Sequence, residues 1–137
     1  MTINRVIFRF REFPVYKEIR KLRKELKEFS RKKFPRDERF GLTDQLWRAL
    51  DSILLNIAEG SAKYSDLEFS KFLNISLTSL DEVVACLDAA HDDGYITDEE
   101  HRYWLKRAEG LNRQLSAFSS KVRKDARLKK RNNRITE

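Results

Sequence analysis

The sequence predicts an all-α protein that folds as an antiparallel, up-down-up-down four-helix bundle. Its 137 residues include only 4 glycines and 2 prolines, so the secondary-structure elements must be long. These elements are rich in Lys, Glu and Leu, which favour helices over strands. Four segments space their apolar residues three and four positions apart, and the segments that join them are short.

The chain begins with an arm of residues 1–12. Its residues 8–11 alternate apolar and charged side chains, a pattern typical of an extended strand. We expect this arm to lie on a neighbouring subunit. The bundle itself is predicted to span residues 13–122. Its first helix is predicted over residues 15–33, since Pro14 suits a first turn and Pro35 ends a helix. The side chains that face the bundle are Val15, Ile19, Leu22, Leu26 and Phe29.

The second helix is predicted over residues 42–59, with Gly60 as its C-terminal stop. Apolar residues cover more of its surface than the single stripe of an ordinary surface helix. It must therefore contact protein on several sides, and we expect some of that protein to be another copy of the chain. Some apolar side chains are additional to those that one core-facing stripe requires, and oligomer formation is expected to depend on them. They are Trp47, Leu54, Leu55 and Leu77.

A thin polar seam remains on the second helix, consisting of Gln45, Arg48, Ser52, Asn56 and Glu59. These side chains can line a catalytic groove, or they can satisfy one another and Glu82 across a bundle or subunit interface and so fix its register. We favour the structural interpretation because no nucleophile–base pair is evident. The chain is accordingly expected not to be an enzyme and to need no cofactor.

The third helix is predicted to begin after Ser65, where Glu68 three residues later completes a capping box. It continues to Asp92, and it carries two apolar stripes. Residues 93 and 94 (Asp-Gly) form the next turn. Thr97 is predicted to cap the fourth helix, which has acidic residues in its first turn. The basic segment 123–137 is expected to leave the helix as a tail after about residue 128.

The two histidines, His91 and His101, flank this turn and lie near several acidic residues. A metal site is conceivable there, but an exposed acidic turn is the interpretation we favour, so no metal is expected. Cys86 is the only cysteine, which excludes a disulfide framework and fits a reducing compartment. Without an apolar run of membrane length, we expect a cytoplasmic protein.

Charge is segregated along the chain. Residues 1–36 hold 13 Lys and Arg against 4 Asp and Glu, a net charge of +9, and residues 121–137 hold 8 against 2, a net of +6. Residues 37–120 hold 8 against 16, a net of −8. Basic ends of this kind favour a polyanionic partner.

The candidate nucleic-acid-binding residues lie on the first helix, opposite its apolar face, and in the basic tail. A solvated face normally mixes both signs of charge, whereas few acids oppose these cations. Binding through phosphates would be salt-sensitive and weakly sequence-specific. A membrane is not an expected partner, since the first helix has no exposed apolar face. The candidates are Lys17, Arg20, Lys21, Arg23, Lys24, Lys27, Arg31, Lys32, Arg123, Lys124, Arg127, Lys130 and Arg131.

Several short motifs occur in order along the chain. They are Gln45, Arg48-Ala49, Ser52-Ile53, residues 56–60 (Asn-Ile-Ala-Glu-Gly), Glu68-Phe69, Phe72-Leu73, residues 79–82 (Ser-Leu-Asp-Glu) and residues 94–96 (Gly-Tyr-Ile). Together they resemble the bacterial four-helix-bundle family first met in intervening sequences of 23S ribosomal RNA genes. The resemblance covers about residues 13–122. It implies an antiparallel bundle that assembles as a ring-like homopentamer.

Related bundles include the accessory protein of diversity-generating retroelements, which is similar in being a basic pentamer that partners a reverse transcriptase and nucleic acid. The main hypothesis is therefore a non-enzymatic homo-oligomer that binds RNA or DNA through its first helix and its C-terminal tail. The alternative is a protein–protein adaptor, such as an accessory subunit of a retroelement reverse transcriptase. A hydrolase that uses the polar seam is the third and weakest hypothesis.

Overall fold

A computed structural model describes residues 7–136, with side chains described as far as residue 133. In this part of the chain the elements are four α-helices and two short 3-10 turns, and the all-α four-helix bundle is confirmed. The helices are α1 (Pro14–Lys33), α2 (Leu42–Ser61), α3 (Asp66–Asp92) and α4 (Asp98–Thr136), and the 3-10 turns are Arg9–Glu12 and Arg36–Glu38.

Contacts between neighbouring helices run in opposite directions along the chain, as an up-down-up-down bundle requires. On α2 and α3, Ser52 meets Ser79, whereas Gly60 lies against Phe72. On α1 and α4, Phe13 packs on Phe118 with ring centres 5.0 Å apart, whereas Lys33 near the end of α1 pairs with Glu100 near the start of α4. Each helix therefore packs against the next, and α4 closes against α1.

The core consists of one apolar stripe from each helix. The predicted α1 stripe is buried from Val15 to Leu26, and Phe29 is half-buried against Trp104, with ring centres 5.2 Å apart. Burial of a large aliphatic side chain contributes about 1.5–3 kcal/mol. The fully buried side chains on which the fold therefore depends include Ile19, Leu26, Leu46, Leu50, Ile53, Ile57, Leu73, Leu80, Leu87 and Leu115.

The predicted role of Gly60 as a helix stop is wrong, because α2 continues through Ser61. A Cβ atom on Gly60 would lie 2.6 Å from Phe72 Cβ and 2.9 Å from Phe69 Cδ1. Glycine at this position therefore allows α2 and α3 to approach closely and does not end α2.

The predicted caps of α3 and α4 are present. Ser65 Oγ accepts a hydrogen bond from the backbone N–H of Glu68 at 3.2 Å. Thr97 Oγ1 accepts from the N–H of Glu100 at 3.1 Å, and Glu100 Oε1 accepts from the N–H of Thr97 at 2.9 Å. This backbone hydrogen bond holds the pKa of Glu100 below its usual value. Gly94, at φ +78°, makes the turn between the two helices.

The N-terminal arm differs from its prediction. The segment Arg9–Glu12 is a 3-10 turn rather than a strand. It packs on its own chain, since the Arg9 guanidinium donates to the carbonyl oxygen of Ser61 at 2.9 Å and Phe10 packs on Tyr16. Residues 1–6 of the predicted arm lie outside the described residues.

The basic C-terminal segment also differs from its prediction. It continues α4 through Thr136 instead of leaving the helix after residue 128. At 1.5 Å per residue, the 39 residues of α4 span about 58 Å, whereas the 20 residues of α1 span about 30 Å. The cations of residues 123–133 are therefore carried on a helix that extends beyond α1.

Candidate nucleic-acid interface

The candidate cations of α1 divide into two groups. Lys17, Arg20, Lys21, Lys24, Arg31 and Lys32 are exposed. Lys17 forms an ion pair with Glu12 at 3.6 Å. Since both of its partners are largely in water, this pair contributes little and leaves the lysine available. These six residues remain the part of the predicted α1 surface that solvent and an outside partner can reach.

Arg23 and Lys27 instead turn toward α2. Each donates to Asp51 Oδ1 at 2.7 Å, and the Lys27 side chain is only 14% exposed. Burial raises the pKa of the Asp51 carboxyl, but the hydrogen bonds and charges of Lys27 and Arg23 outweigh it, so the net pKa lies below its usual 3.8. Asp51 was not predicted as their partner. The only available signal was the four-residue spacing of the two cations, which places them on one face of α1.

Trp47 joins α1 to α2 within the chain. Its indole N–H donates to Ser30 Oγ at 2.9 Å. Lys27 Nζ and Arg31 Cζ each lie 5.2 Å from the centre of its ring, within cation–π range. Trp47 is thus half-buried in an intrachain contact. Its role in oligomer formation stays a prediction.

The extension of α4 carries the second group of candidate cations. All are exposed, and no acidic side chain among the described residues forms an ion pair with any of them. Lys129 Nζ donates to Asp66 Oδ2 at 2.6 Å, which ties the extension to the start of α3. An open cleft of about 530 Å³ lies between these two elements. The exposed candidates are Arg123, Lys124, Arg127, Lys130 and Arg131.

The fold brings the start of α1 and the base of the α4 extension to one end of the bundle. Phe13, just before α1, packs on Phe118 of α4 at 5.0 Å and on Phe69 of α3 at 6.2 Å. The first turns of α1 and the extension of α4 both begin from this aromatic cluster. The acids of the α3–α4 turn lie at the other end, because α3 and α4 are antiparallel. The cations of the first turns of α1 and of the α4 extension are therefore separated from these acids, whereas the last turn of α1, with Arg31, Lys32 and Lys33, lies at the acidic end.

The polar seam of α2 is only partly brought together. Ser52 Oγ and Ser79 Oγ share a hydrogen bond of 2.7 Å, and the Asn56 amide donates to Ser52 at 2.8 and 3.1 Å. These three side chains therefore satisfy one another at the α2–α3 contact. Arg48 pairs instead with Asp44, at 2.9 Å. The seam residues that remain exposed are Gln45, Arg48, Glu59 and, on α3, Glu82.

The apolar residues predicted at an oligomer interface also divide. Leu54 and Leu77 are half-buried against the core. Leu55, by contrast, is 60% exposed, and Ile75 of α3 is 46% exposed. The contacts of Ser76 with Ile53 and of Ser52 with Ser79 set the register of the two helices and bring the exposed pair to the same level. We call Leu55 and Ile75 the α2–α3 apolar pair; Ile75 was not among the predicted interface residues.

The two histidines lie together at the α3–α4 turn. Their rings stack with centres 4.4 Å apart and planes 9° apart. Each is engaged by its own carboxylate, His101 by Asp88 at 2.8 Å and His91 by Asp98. The hydrogen bond from His91 lowers the pKa of Asp98. Within the described residues, no three His, Cys, Asp or Glu side chains are grouped closely enough to hold a metal ion.

The geometry defines the class of protein: it is an all-α four-helix bundle whose exposed cations lie on α1 and on an extension of α4. The model of the 23S rRNA-intervening sequence protein family matches residues 11–117, and the chain belongs to that family. Within residues 7–136, no helix has both the length and the apolarity needed to cross a membrane.

Among solved structures, the chain is similar to a protein of unknown function from the S23 ribosomal protein family of Bacteroides thetaiotaomicron. The TM-score is 0.70 at 22% sequence identity, and the match covers 77% of this chain and 95% of that one. This likeness supports the fold. The search of curated proteins found no match.

Proposed function

We propose that the protein is a non-catalytic, homo-oligomeric scaffold that binds nucleic acid, with RNA as its preferred partner, through the basic end of the bundle. The observation that carries this proposal is the exposed run of cations on the α4 extension, which includes Arg123, Arg127 and Lys130. Lysine and arginine in such an arrangement bind phosphates and release counterions. The exposed lysines of α1 extend the same surface, and the family to which the chain belongs is named for ribosomal RNA genes.

The test is a salt titration of binding to a generic single-stranded RNA. A variant that replaces Arg123, Arg127 and Lys130 with Gln should bind more weakly, and its log–log salt slope should fall by about 2, at about 0.7 per phosphate contact. The matched control replaces three other exposed cations of α4, Arg102, Lys106 and Arg113, with Gln. Equal losses in both variants, or binding that ignores salt, would contradict the proposal.

Self-association is the second part of the proposal. The α2–α3 apolar pair supports it, since two exposed large aliphatic side chains on neighbouring helices are suited to burial by another copy. Replacing Leu55 and Ile75 with Gln, a good helix former, should give a smaller species in light scattering. Ala85→Gln, at an exposed position elsewhere on α3, is the control and should leave the mass unchanged.

The same apolar pair also favours an adaptor function, in which a different protein such as a reverse transcriptase covers it. That candidate expects a monomer in isolation and a second protein that co-purifies from the native host. It also expects loss of that partner in the Leu55→Gln/Ile75→Gln variant, with no change in the mass of the purified chain.

A further inference from the structure

A second cleft, of about 700 Å³, opens where α1 leads into α2. It lies at the opposite end of α1 from the basic end already described. The buried ring of Phe34 lines it, together with five side chains that are not buried: the aromatic rings of Phe40 and Trp47 and the guanidinium groups of Arg31, Arg36 and Arg39. Three of these five residues (Arg36, Arg39 and Phe40) belong to neither set of site residues in the sequence analysis.

Phe40 is the most unusual member of this cleft. Its side chain is 86% exposed, in a chain whose other large rings mostly pack on one another. The Arg39 guanidinium lies 5.1 Å from the centre of the ring. A phenyl ring left in water beside a cation is accessible to a planar partner, which would gain both the stacking surface and the positive charge.

Trp47 gives the cleft a fixed wall. Its hydrogen bond to Ser30 holds the indole in place, and Arg31 lies 5.2 Å from its ring centre. The side chains of this wall are therefore ordered before any ligand arrives. A wall that is already ordered lowers the entropic cost of binding.

The charge of the cleft is positive. Three arginines face one carboxylate, that of Asp44, which forms an ion pair with Arg48 at 2.9 Å. The neighbouring Glu38 lies outside the lining and accepts a hydrogen bond from the Tyr95 hydroxyl at 3.0 Å. Guanidinium groups bind phosphate oxygens in a bidentate manner. The cleft therefore combines anion binding with aromatic stacking.

We propose that this cleft binds an unpaired nucleotide of single-stranded RNA, with its base stacked on Phe40 beside Trp47 and its phosphates on Arg31, Arg36 and Arg39. Aromatic platforms bordered by cations bind single strands, because only an unpaired base exposes its face. The volume of the cleft falls within the range of small-ligand sites. This inference rests on the proposed function and deepens it by naming the form of RNA that is bound.

The test compares three probes: a single-stranded RNA of about 12 nucleotides, the same sequence as a duplex, and a strand of equal length without bases. Phe40→Ala should weaken binding of the single strand by about 5- to 150-fold, the effect of losing one base–aromatic stack. Binding of the other two probes should not change. Tyr103→Ala is the matched control, since Tyr103 is also exposed and also has an arginine, Arg107, near its ring.

Tryptophan fluorescence distinguishes base stacking in the cleft from binding by charge alone. In a Trp104→Phe background, whose fold is checked by circular dichroism, Trp47 is the remaining tryptophan. The single strand should quench its emission, whereas the strand without bases should not.

Equal binding of all three probes, unaffected by Phe40→Ala and without quenching, would contradict the proposed nucleotide site in the cleft. It would not contradict the proposed function. A parent protein that binds no RNA in dilute salt would overturn both.

Discussion

At the scale of single residues, Asp51 shows how a surface charge pattern can conceal a structural pair. The sequence groups Arg23 and Lys27 with the solvated cations of α1, and only the rotation of α1 against α2 separates them. Both donate to the same oxygen of Asp51 at 2.7 Å. The α1–α2 contact is therefore held by charge as well as by apolar burial.

Replacing Asp51 with Asn should destabilise the fold by about 1 kcal/mol. This estimate is at the upper end for ion pairs on protein surfaces, because Lys27 is nearly buried while Asp51 and Arg23 are partly screened by solvent. Urea unfolding followed by circular dichroism measures the change. Asp44→Asn, which breaks an exposed i,i+4 pair with Arg48, is the control and should cost about 0.3–0.5 kcal/mol. Equal costs in the two variants would contradict the role given to Asp51.

The same pair predicts a pH dependence. The folded-state pKa of Asp51 lies below its ordinary value of 3.8, so the stabilisation is present above pH 3.8 and is lost as the pH falls through the folded-state pKa. The stability gap between the parent and Asp51→Asn should therefore be constant from neutral pH to about pH 5 and should close below pH 3.8. Urea midpoints across this range test it, and a gap that persists in strong acid would assign the effect to packing.

At the residue scale, some features of the site could be predicted from the sequence and others could not. The residue types on α1 and α4 indicate where cations are dense, and the extension of α4 does carry them on its exposed side. The pairing of Arg48 with Asp44, and the burial of Leu54 and Leu77 against the core, depend on tertiary packing that no local pattern encodes. Phe40 was missed because a lone aromatic residue in a loop carries no periodic signal.

At the scale of the elements, Gly60 sets the distance between α2 and α3. Alanine in a helix interior is usually favoured over glycine by up to about 1 kcal/mol. At position 60, however, the new methyl group would meet Phe72 Cβ at 2.6 Å and Phe69 at 2.9 Å. We therefore expect Gly60→Ala to destabilise the fold by about 1–3 kcal/mol through overpacking.

Gly110 of α4 is a matched control for this substitution. A Cβ atom built there has nothing within 4 Å. Gly110→Ala should therefore stabilise the fold by about 0.5–1 kcal/mol. Thermal unfolding of the two variants side by side gives opposite signs if helix approach is the cause, and the same sign if only helix propensity matters.

Helix starts were predictable from the sequence, and so were the ends of α1 and α3, whereas the ends of α2 and α4 were not. Ser65 and Thr97 cap their helices through contacts three residues away, so the relevant information is local. The role of Gly60 depends on a neighbouring helix, and the same residue type is a common helix stop. The α4 extension remained helical beyond residue 128, where Lys129 bonds to Asp66 of another element.

At the scale of the whole molecule, the antiparallel topology brings basic residues from the two ends of the sequence close together. The basic stretches 1–36 and 121–137 are far apart in sequence, yet the cluster of Phe13, Phe69 and Phe118 places the start of α1 beside the base of the α4 extension. The topology was predictable because four periodic segments with short connections have few other arrangements. The face on which copies would meet was not, since it depends on which side of the α2–α3 contact remains uncovered.

Self-association and nucleic-acid binding should be coupled, because each added copy contributes another basic end to the same strand. The Leu55→Gln/Ile75→Gln variant changes no charge and lies away from the basic end, so its single-site affinity should equal that of the parent. Its avidity for a long RNA should nevertheless fall by at least about 100-fold. A short oligonucleotide that reaches one copy serves as the control and should bind both proteins alike. If the variant is smaller by light scattering yet binds long RNA as tightly as the parent, the copies do not bind the strand together.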